Sequence, residues 1–127
     1  MVPRRRRDRA VIEPHLYTLI GKLPVPCLDL LNWAAWMERN HRNRHVGDDV
    51  LSGSVDDQRI EIRVSTVFLG LDHRFGDGTP LLFETMVFGG PNAGDTRRYE
   101  TWDEAETGHA EFLARERAWL HEGERIR

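Results

Sequence analysis

The feature that most constrains the fold is a pair of apolar runs separated by a turn-rich segment, between Val64 and Gly90. The first run reads VSTVFL and the second LLFETMVF. Both are rich in β-branched and aromatic residues, which suit a pleated, half-buried surface. The segment between them contains Gly76, Gly78 and Pro80, which favour turns. The pattern predicts a β-hairpin whose two strands form the centre of an antiparallel sheet.

The residues before this hairpin predict further strands. Residues 46–57 favour a strand that ends in a turn at Asp56-Asp57, and the following residues alternate apolar and polar with a period of two. Nearer the N-terminus, Gly21-Lys22 predicts a tight turn between two short apolar runs. Pro24 and Pro26 make the second of these runs an edge strand or an extended connection. After the hairpin, PNAGDTRRY predicts a loop.

Two segments have the signals of helices. Asp29 is a plausible N-cap for a helix over 29–41, in which Leu30, Trp33, Ala34 and Met37 recur at helical spacing. A second helix is predicted over 102–121. Its capping box is Thr101-Trp102-Asp103-Glu104, and an apolar stripe follows that also contains His109. We therefore predict an α+β fold: an antiparallel sheet of about four or five strands with a central β-hairpin and two flanking helices.

Charge is distributed unevenly along the chain. Residues 1–10 carry five arginines and one aspartate, so we expect a disordered, Arg-rich arm followed by a single domain over 11–127. The whole chain has a formal net charge of −3, so the remainder is acidic. An acidic body makes nucleic-acid binding over a broad surface unexpected. With one cysteine and no apolar run of about 20 residues, we expect a cytoplasmic protein without a membrane partner.

Three kinds of function are compatible with the polar residues near the predicted core. A metal-dependent hydrolase would use Asp72, His73, Glu84 and His109, but their spacing matches no known ligand pattern. The Arg and His residues after the first helix, such as Arg44, either compensate the negative end of that helix or form an anion-binding corner. An assembly or host-interaction module would instead use an open sheet edge. We favour a pocket for an anionic nucleotide, without metal or cofactor. Its candidate ligand-binding residues are Arg44, His73, Phe75, Phe83, Arg97, Arg98, Tyr99 and His109.

Two motifs point to a family. VSTVFLGLDHRFGDGTPLLFETMVFGG, followed by RRYETWDEAETGH, resembles small proteins encoded by bacteriophages and prophages. The likeness covers about residues 44 to 110, and PVPCLDLLNWAAWMERN upstream also resembles members of this family.

By layout the chain is similar to the phage anti-defence sponges that counter Thoeris immunity. That resemblance implies binding of a cyclic ADP-ribose isomer or a cyclic oligonucleotide between subunits of a homo-oligomer, without cleavage. It also implies that Arg44, Phe83, Arg97 and Arg98 lie at the pocket. The expected function is sequestration of a cyclic nucleotide immune signal. The alternative is a phage assembly or host-interaction module with no small-molecule ligand.

Overall fold

The computed structural model describes residues 15–72 and 78–125, which form an α+β fold. The predicted arm over 1–10, together with His73 and Phe75, lies outside the described residues. In chain order the elements are β1 (Tyr17–Ile20), β2 (Leu23–Pro26), α1 (Leu30–Arg39), β3 (His45–Val55), β4 (Gln58–Phe68), β5 (Phe83–Phe88), β6 (Thr96–Tyr99) and α2 (Trp102–Arg125).

The main sheet has four antiparallel strands in the order β3-β4-β5-β6. The predicted central hairpin is confirmed, because β4 and β5 are the two inner strands and pair from Phe68 opposite Phe83 to Arg63 opposite Phe88. The predicted turn after β3 is also confirmed. Asp56 and Asp57 both have positive φ (53° and 65°), the geometry of a two-residue hairpin turn that matches the twist of the strands.

The prediction of a loop over PNAGDTRRY is wrong for its last residues, because Thr96–Tyr99 forms strand β6. This strand lies at the edge of the sheet and pairs with β5 alone. Short edge strands with charged side chains resist pairing with other chains, and these features also remove the apolar alternation by which a strand is recognised. In β6, the charged residues Arg97 and Arg98 interrupt the alternation that would have predicted a strand.

We call the face of the main sheet that packs on α2 the inner face and the opposite side the outer face. Alternate side chains of β4 and β5 point to the inner face. There Ile62, Val64 and Val87 form a buried cluster with Phe112, Leu113 and Leu120 of α2. A second cluster lies towards the N-terminus of α2 and contains Phe68, Leu82, Phe83, Tyr99 and Ala105. The core of the molecule is therefore the layer between the inner face and α2.

Helix α2 begins as the capping box predicts. The Thr101 hydroxyl accepts a hydrogen bond from the Glu104 N–H (3.1 Å), and the Glu104 carboxylate accepts one from the Thr101 N–H (3.3 Å). Asp103 and Glu104 also place negative charge on the positive end of the helix. The cap fixes where α2 starts, immediately after the edge strand β6.

Strands β1 and β2 form a separate two-stranded sheet, joined by a tight turn at Gly21, whose φ is 62°. This hairpin and α1 make a thin layer at the end of the main sheet, which we call the N-terminal layer. The indole N–H of Trp33 lies within hydrogen-bonding distance of two backbone carbonyls, those of Tyr17 (3.1 Å) and Gly70 (3.0 Å), and so ties α1 to both sheets. Asp29 caps α1 as predicted, accepting hydrogen bonds from the Leu31 and Asn32 N–H groups. None of the residues of α1 is buried.

In the described part of the chain, neither helix is long and apolar enough to cross a membrane.

Candidate functional site

His109 is the candidate residue with the most specific surroundings. Its side chain is buried, and both ring nitrogens have partners. Nδ1 lies 2.7 Å from the hydroxyl of Thr66, and Nε2 lies 2.7 Å from a carboxylate oxygen of Asp49. The chain of contacts continues from Thr66 to Thr85 (2.6 Å), whose hydroxyl accepts a hydrogen bond from the Tyr99 hydroxyl (3.0 Å).

The hydrogen bonds among these five side chains can all be made with one consistent order of donors and acceptors. Tyr99 donates to Thr85, Thr85 donates to Thr66, and Thr66 donates to Nδ1 of a neutral His109. The remaining imidazole proton, on Nε2, is then donated to the Asp49 carboxylate. The network joins β3, β4, β5, β6 and α2 through polar contacts that run from the core to the half-exposed carboxylate of Asp49. Fully satisfied buried networks of this kind rigidify a core and select one packing arrangement.

The contacts of Thr66, His109 and Asp49 resemble those of a catalytic triad, in which a hydroxyl, an imidazole and a carboxylate lie in sequence. The hydroxyl of a triad must be reachable by substrate, however, and Thr66 is 0% exposed. Backbone packing closes the site further. A Cβ on Gly47 would lie 2.6 Å from the His109 ring, and one on Gly108 would lie within 2.1 Å of the Tyr99 hydroxyl. This geometry supports a structural role for the network.

Arg97 and Arg98 are consecutive residues of β6, so their side chains point to opposite faces of the sheet. On the inner side, Arg97 forms an ion pair with Glu111 of α2 (2.7 Å) and covers the ring of Phe112. Arg98 forms an ion pair with Glu84 of β5 (3.0 Å) on the outer face. The hydrogen bond that Arg97 donates to Glu111 raises the pKa of Arg97 above its ordinary value. The two guanidinium groups therefore bind carboxylates of their own chain on different faces.

Arg97, Arg98 and Tyr99 nevertheless line one groove, with a volume of about 630 Å³, between β6 and the first turns of α2. The groove is acidic, because its walls also contain the carboxylates of Glu100, Asp103, Glu104 and Glu111. Tyr99 itself is buried, and its hydroxyl donates inward to Thr85. Three candidate residues thus meet at this groove, but its charge opposes a phosphate.

Arg44 lies away from this groove, at the start of β3. Its guanidinium donates a hydrogen bond to the Phe68 carbonyl (2.9 Å), and the Phe68 N–H donates to the Arg44 carbonyl (2.8 Å). Burial lowers the pKa of Arg44, and its Nε has no hydrogen-bond partner among the described residues. The side chain therefore braces the start of β3 against the end of β4.

The structure also separates the remaining candidates. Phe83 is 0% exposed in the second core cluster, where its ring contacts Phe68 and Trp102. Of the residues considered for a metal, Glu84 lies on the outer face and His109 on the inner face. In the described ranges 15–72 and 78–125, no group of three or more His, Cys, Asp or Glu side chains is arranged to hold a metal ion.

The other members of the network, Asp49, Thr66 and Thr85, were not among the predicted site residues. The alternation of side chains along the strands could have placed two of them, Thr66 and Thr85, on the inner face. Thr66 lies in the same alternating set as Ile62 and Val64, and it pairs with Thr85 of β5, so both hydroxyls point towards the helix that contains His109. A polar pair on an otherwise apolar inner face requires a polar partner from the opposing element.

An apolar surface of the N-terminal layer was also not identified. Seven large hydrophobic residues are exposed in the described part of the chain, and five of them lie between residues 20 and 31. Leu28, Leu30 and Leu31, at the start of α1, are 84%, 62% and 80% exposed; we call them the leucine ridge. Ile20 and Leu23, at the β1–β2 turn, are 68% and 64% exposed.

Ile20 and Leu23 also line a groove of about 340 Å³ between the β1–β2 turn and the start of α2, which we call the Trp102 groove. Its other walls are formed by Lys22, Pro24, Thr101, Trp102 and Asp103. The Lys22 ammonium lies 5.8 Å from the centre of the Trp102 ring. The indole Nε1 of Trp102 is buried and has no hydrogen-bond partner within the described residues.

Comparison with protein-family models, curated proteins and solved structures finds no match to this chain.

Proposed function

We propose that this chain is a non-catalytic interaction module, of the phage assembly or host-interaction type, that acts in the host cytoplasm by binding protein. The observation that carries the proposal is the apolar surface of the N-terminal layer. Helix α1 is rich in leucine, tryptophan and alanine, yet none of its residues is buried. Large exposed apolar side chains that cluster in one part of a protein mark an interaction site.

Covering this surface would contribute a substantial part of the free energy that association needs. Burying a Leu or Ile side chain contributes about 1.5–3 kcal/mol. Leu28, Leu30, Leu31, Ile20 and Leu23 are each at least 62% exposed, so covering all five would contribute roughly 5–12 kcal/mol. Association costs about 4–15 kcal/mol in lost translational and rotational freedom. The five side chains therefore offset a large part of that cost before any polar contact is counted.

The buried polar network also supports a non-catalytic function. Thr66 is fully buried, and His109 has both nitrogens occupied by side chains of its own chain. In a hydrolase, the nucleophile or its base must be within reach of a substrate bound in a cleft. The network therefore supports the packing of the core, and the exposed apolar residues of the N-terminal layer are suited to binding a protein.

The test is affinity purification of the tagged chain from cells that also express its phage or prophage neighbours, followed by quantitative mass spectrometry. The wild type is compared with Leu31→Lys and with Val50→Lys. Leu31 is 80% exposed in the ridge, whereas Val50 is 58% exposed on the outer face, so each variant places one charge on a different surface. We expect Leu31→Lys to lose the specific partner and Val50→Lys to retain it. A partner retained equally by both variants would contradict the assignment of the surface.

A second candidate function is sequestration of a cyclic nucleotide, the function implied by the phage resemblance. One observation favours it: Arg97, Arg98 and Tyr99 line the same groove of about 630 Å³. Because carboxylates surround that groove and both arginines are paired, a partner subunit would have to supply further positive charge. Native mass spectrometry of protein purified from cells with an active nucleotide-signalling defence tests this candidate. Extra mass released intact on heating would support it, and chemically altered ligand would contradict a sponge.

A further inference from the structure

We infer that the partner of the leucine ridge is a second copy of this chain, whose Trp102 groove receives the ridge. This inference rests on the proposed function and specifies its partner. In the resulting two-fold symmetric dimer, each copy inserts its ridge into the groove of the other. The contact is thus made twice and buries both ridges and both grooves.

The two surfaces have complementary shapes and lie on the same layer. The ridge projects side chains into solvent, since Leu28 and Leu31 are 84% and 80% exposed at the start of α1. The groove is concave and mostly apolar, with Ile20, Leu23 and Pro24 on one wall and Trp102 on the other. Tryptophan is among the residue types most often found to dominate binding at protein interfaces.

One chain cannot place its own ridge in its own groove. Strand β2 (Leu23–Pro26) separates them, with Leu23 at the groove and Leu28 on the ridge. Five residues of extended chain span roughly 16 Å. The β1–β2 pairing and the Asp29 cap hold this segment in place at both ends. Within the described ranges 15–72 and 78–125, the ridge of the same chain therefore does not fill the groove.

The charges at the two surfaces are also complementary. Asp29 lies between Leu28 and Leu30 in the ridge, and the structure places it at the exposed start of α1. Lys22 lines the wall of the groove that the β1–β2 turn forms, and Asp103 lines the wall that the start of α2 forms. A dimer that brings the ridge into the groove places the Asp29 carboxylate of one copy near the Lys22 ammonium of the other, and opposite charges at the rim fix the register of a contact.

The experiment is sedimentation velocity across a concentration series on four proteins: wild type, the ridge variant Leu31→Lys, the groove variant Leu23→Lys, and the outer-face control Val50→Lys. We expect the wild type and Val50→Lys to dimerise with the same dissociation constant. Each of the other two variants is expected to weaken dimerisation at least tenfold. Circular dichroism melting should show unchanged folding, because both substituted leucines are more than 60% exposed.

Mixing the two defective variants tests the ridge-into-groove arrangement itself. A mixed dimer of Leu31→Lys with Leu23→Lys keeps one intact contact, formed by the wild-type ridge of one chain and the wild-type groove of the other. We expect the mixture to form a dimer that is weaker than wild type and tighter than either variant alone. A mixture that stays monomeric, or a Val50→Lys variant that loses the dimer, would overturn the inference.

The outcome also separates this inference from the proposed function. A wild-type chain that is monomeric at every concentration, while Leu31→Lys still loses a different protein in the affinity purification, overturns the second copy as partner and leaves the interaction module standing. A dimer that follows the pattern above, with no other protein captured, supports the inference and contradicts a host-interaction function. Growth into larger species with increasing concentration would overturn the closed, two-fold arrangement, because a head-to-tail contact does not close.

Discussion

Helices α1 and α2 have similar types of apolar residue and use them in opposite ways. Seven of the ten residues of α1 are apolar, yet none is buried. In α2, which has many more charged residues, Phe112, Leu113 and Leu120 are all less than 10% exposed. The difference is position: α2 crosses the inner face of a four-stranded sheet, whereas α1 contacts the two-stranded hairpin and reaches the main core through Trp36, which packs edge to face on Phe68. Apolar content therefore does not predict burial unless a partner surface of sufficient area is present.

The comparison implies that the free energy of unfolding depends on the sheet and α2 and hardly on the outer surface of α1. Replacing Phe83 by Ala removes a fully buried ring from the second core cluster. We expect a loss of about 3–5 kcal/mol in urea unfolding, the usual cost of truncating a buried aromatic residue. The matched variant Leu31→Ala, on the exposed side of α1, should change stability by less than about 0.5 kcal/mol. Equal losses in the free energy of unfolding for the two variants would contradict the conclusion that the outer surface of α1 contributes little to stability.

The close packing of α2 on the sheet can be tested with a substitution that would stabilise an isolated helix. Gly108 lies inside α2, where Ala is intrinsically about 1 kcal/mol more favourable than Gly. A Cβ there would overlap the Tyr99 hydroxyl, however, so we expect Gly108→Ala to destabilise the protein by about 1–3 kcal/mol through overpacking. Thermal unfolding measures the effect, with the exposed neighbour Thr107→Ala as control. An increase in Tm for Gly108→Ala would show that α2 lies less close to β6.

Trp33 is one of several attachments of the N-terminal layer, beside the backbone hydrogen bond from Tyr17 to Gly70 and the packing of Trp36 on the core. Replacing Trp33 by Phe keeps an aromatic ring but removes the N–H that lies within hydrogen-bonding distance of the Tyr17 and Gly70 carbonyls. We expect a loss of about 1–2 kcal/mol, because a part-buried donor is lost and two acceptors lose a partner. Amide hydrogen exchange should accelerate in β1 and α1 and stay unchanged in β4. Uniform acceleration over the whole chain would mean that the layer and the sheet unfold as one unit.

The sequence predicted those parts of the fold that are encoded by neighbouring residues. The β4–β5 hairpin, the turn at Asp56-Asp57 and the capping box that starts α2 each follow from a few consecutive side chains, and all three are confirmed. The edge strand β6 was missed because its two arginines interrupt the apolar pattern.

The missed strand explains why the candidate site could not be predicted. Once Thr96–Tyr99 is read as a strand, alternation alone places Arg97 and Arg98 on opposite faces. The partners of His109 depend on which register brings Thr66 opposite Thr85, and that is a property of the assembled sheet. The exposure of the leucine ridge was likewise not encoded locally, since helical spacing identifies an apolar side of α1 but not whether another element covers it.

The smallest effect is expected on the outer face, where side chains are exposed as they are in the N-terminal layer. Asp48 accepts two hydrogen bonds from Arg63 (2.8 and 2.9 Å), and this pairing holds the pKa of Asp48 below its ordinary value. A lowered pKa in the folded state means that the pair stabilises the protein above the unfolded pKa, about 3.9, and that this contribution disappears as the pH falls through the folded pKa.

We therefore expect Asp48→Asn to lower Tm slightly at neutral pH and the two Tm values to converge in acid. Salt should reduce the neutral-pH difference, because both side chains are more than a third exposed and the attraction is screened. Differential scanning calorimetry over a pH series at low and high salt measures both effects. A difference in Tm that persists unchanged into acid would mean that Asp48 supports β3 through packing rather than through charge. In that case side chains on the outer face would stabilise the protein through packing, as those on the inner face do.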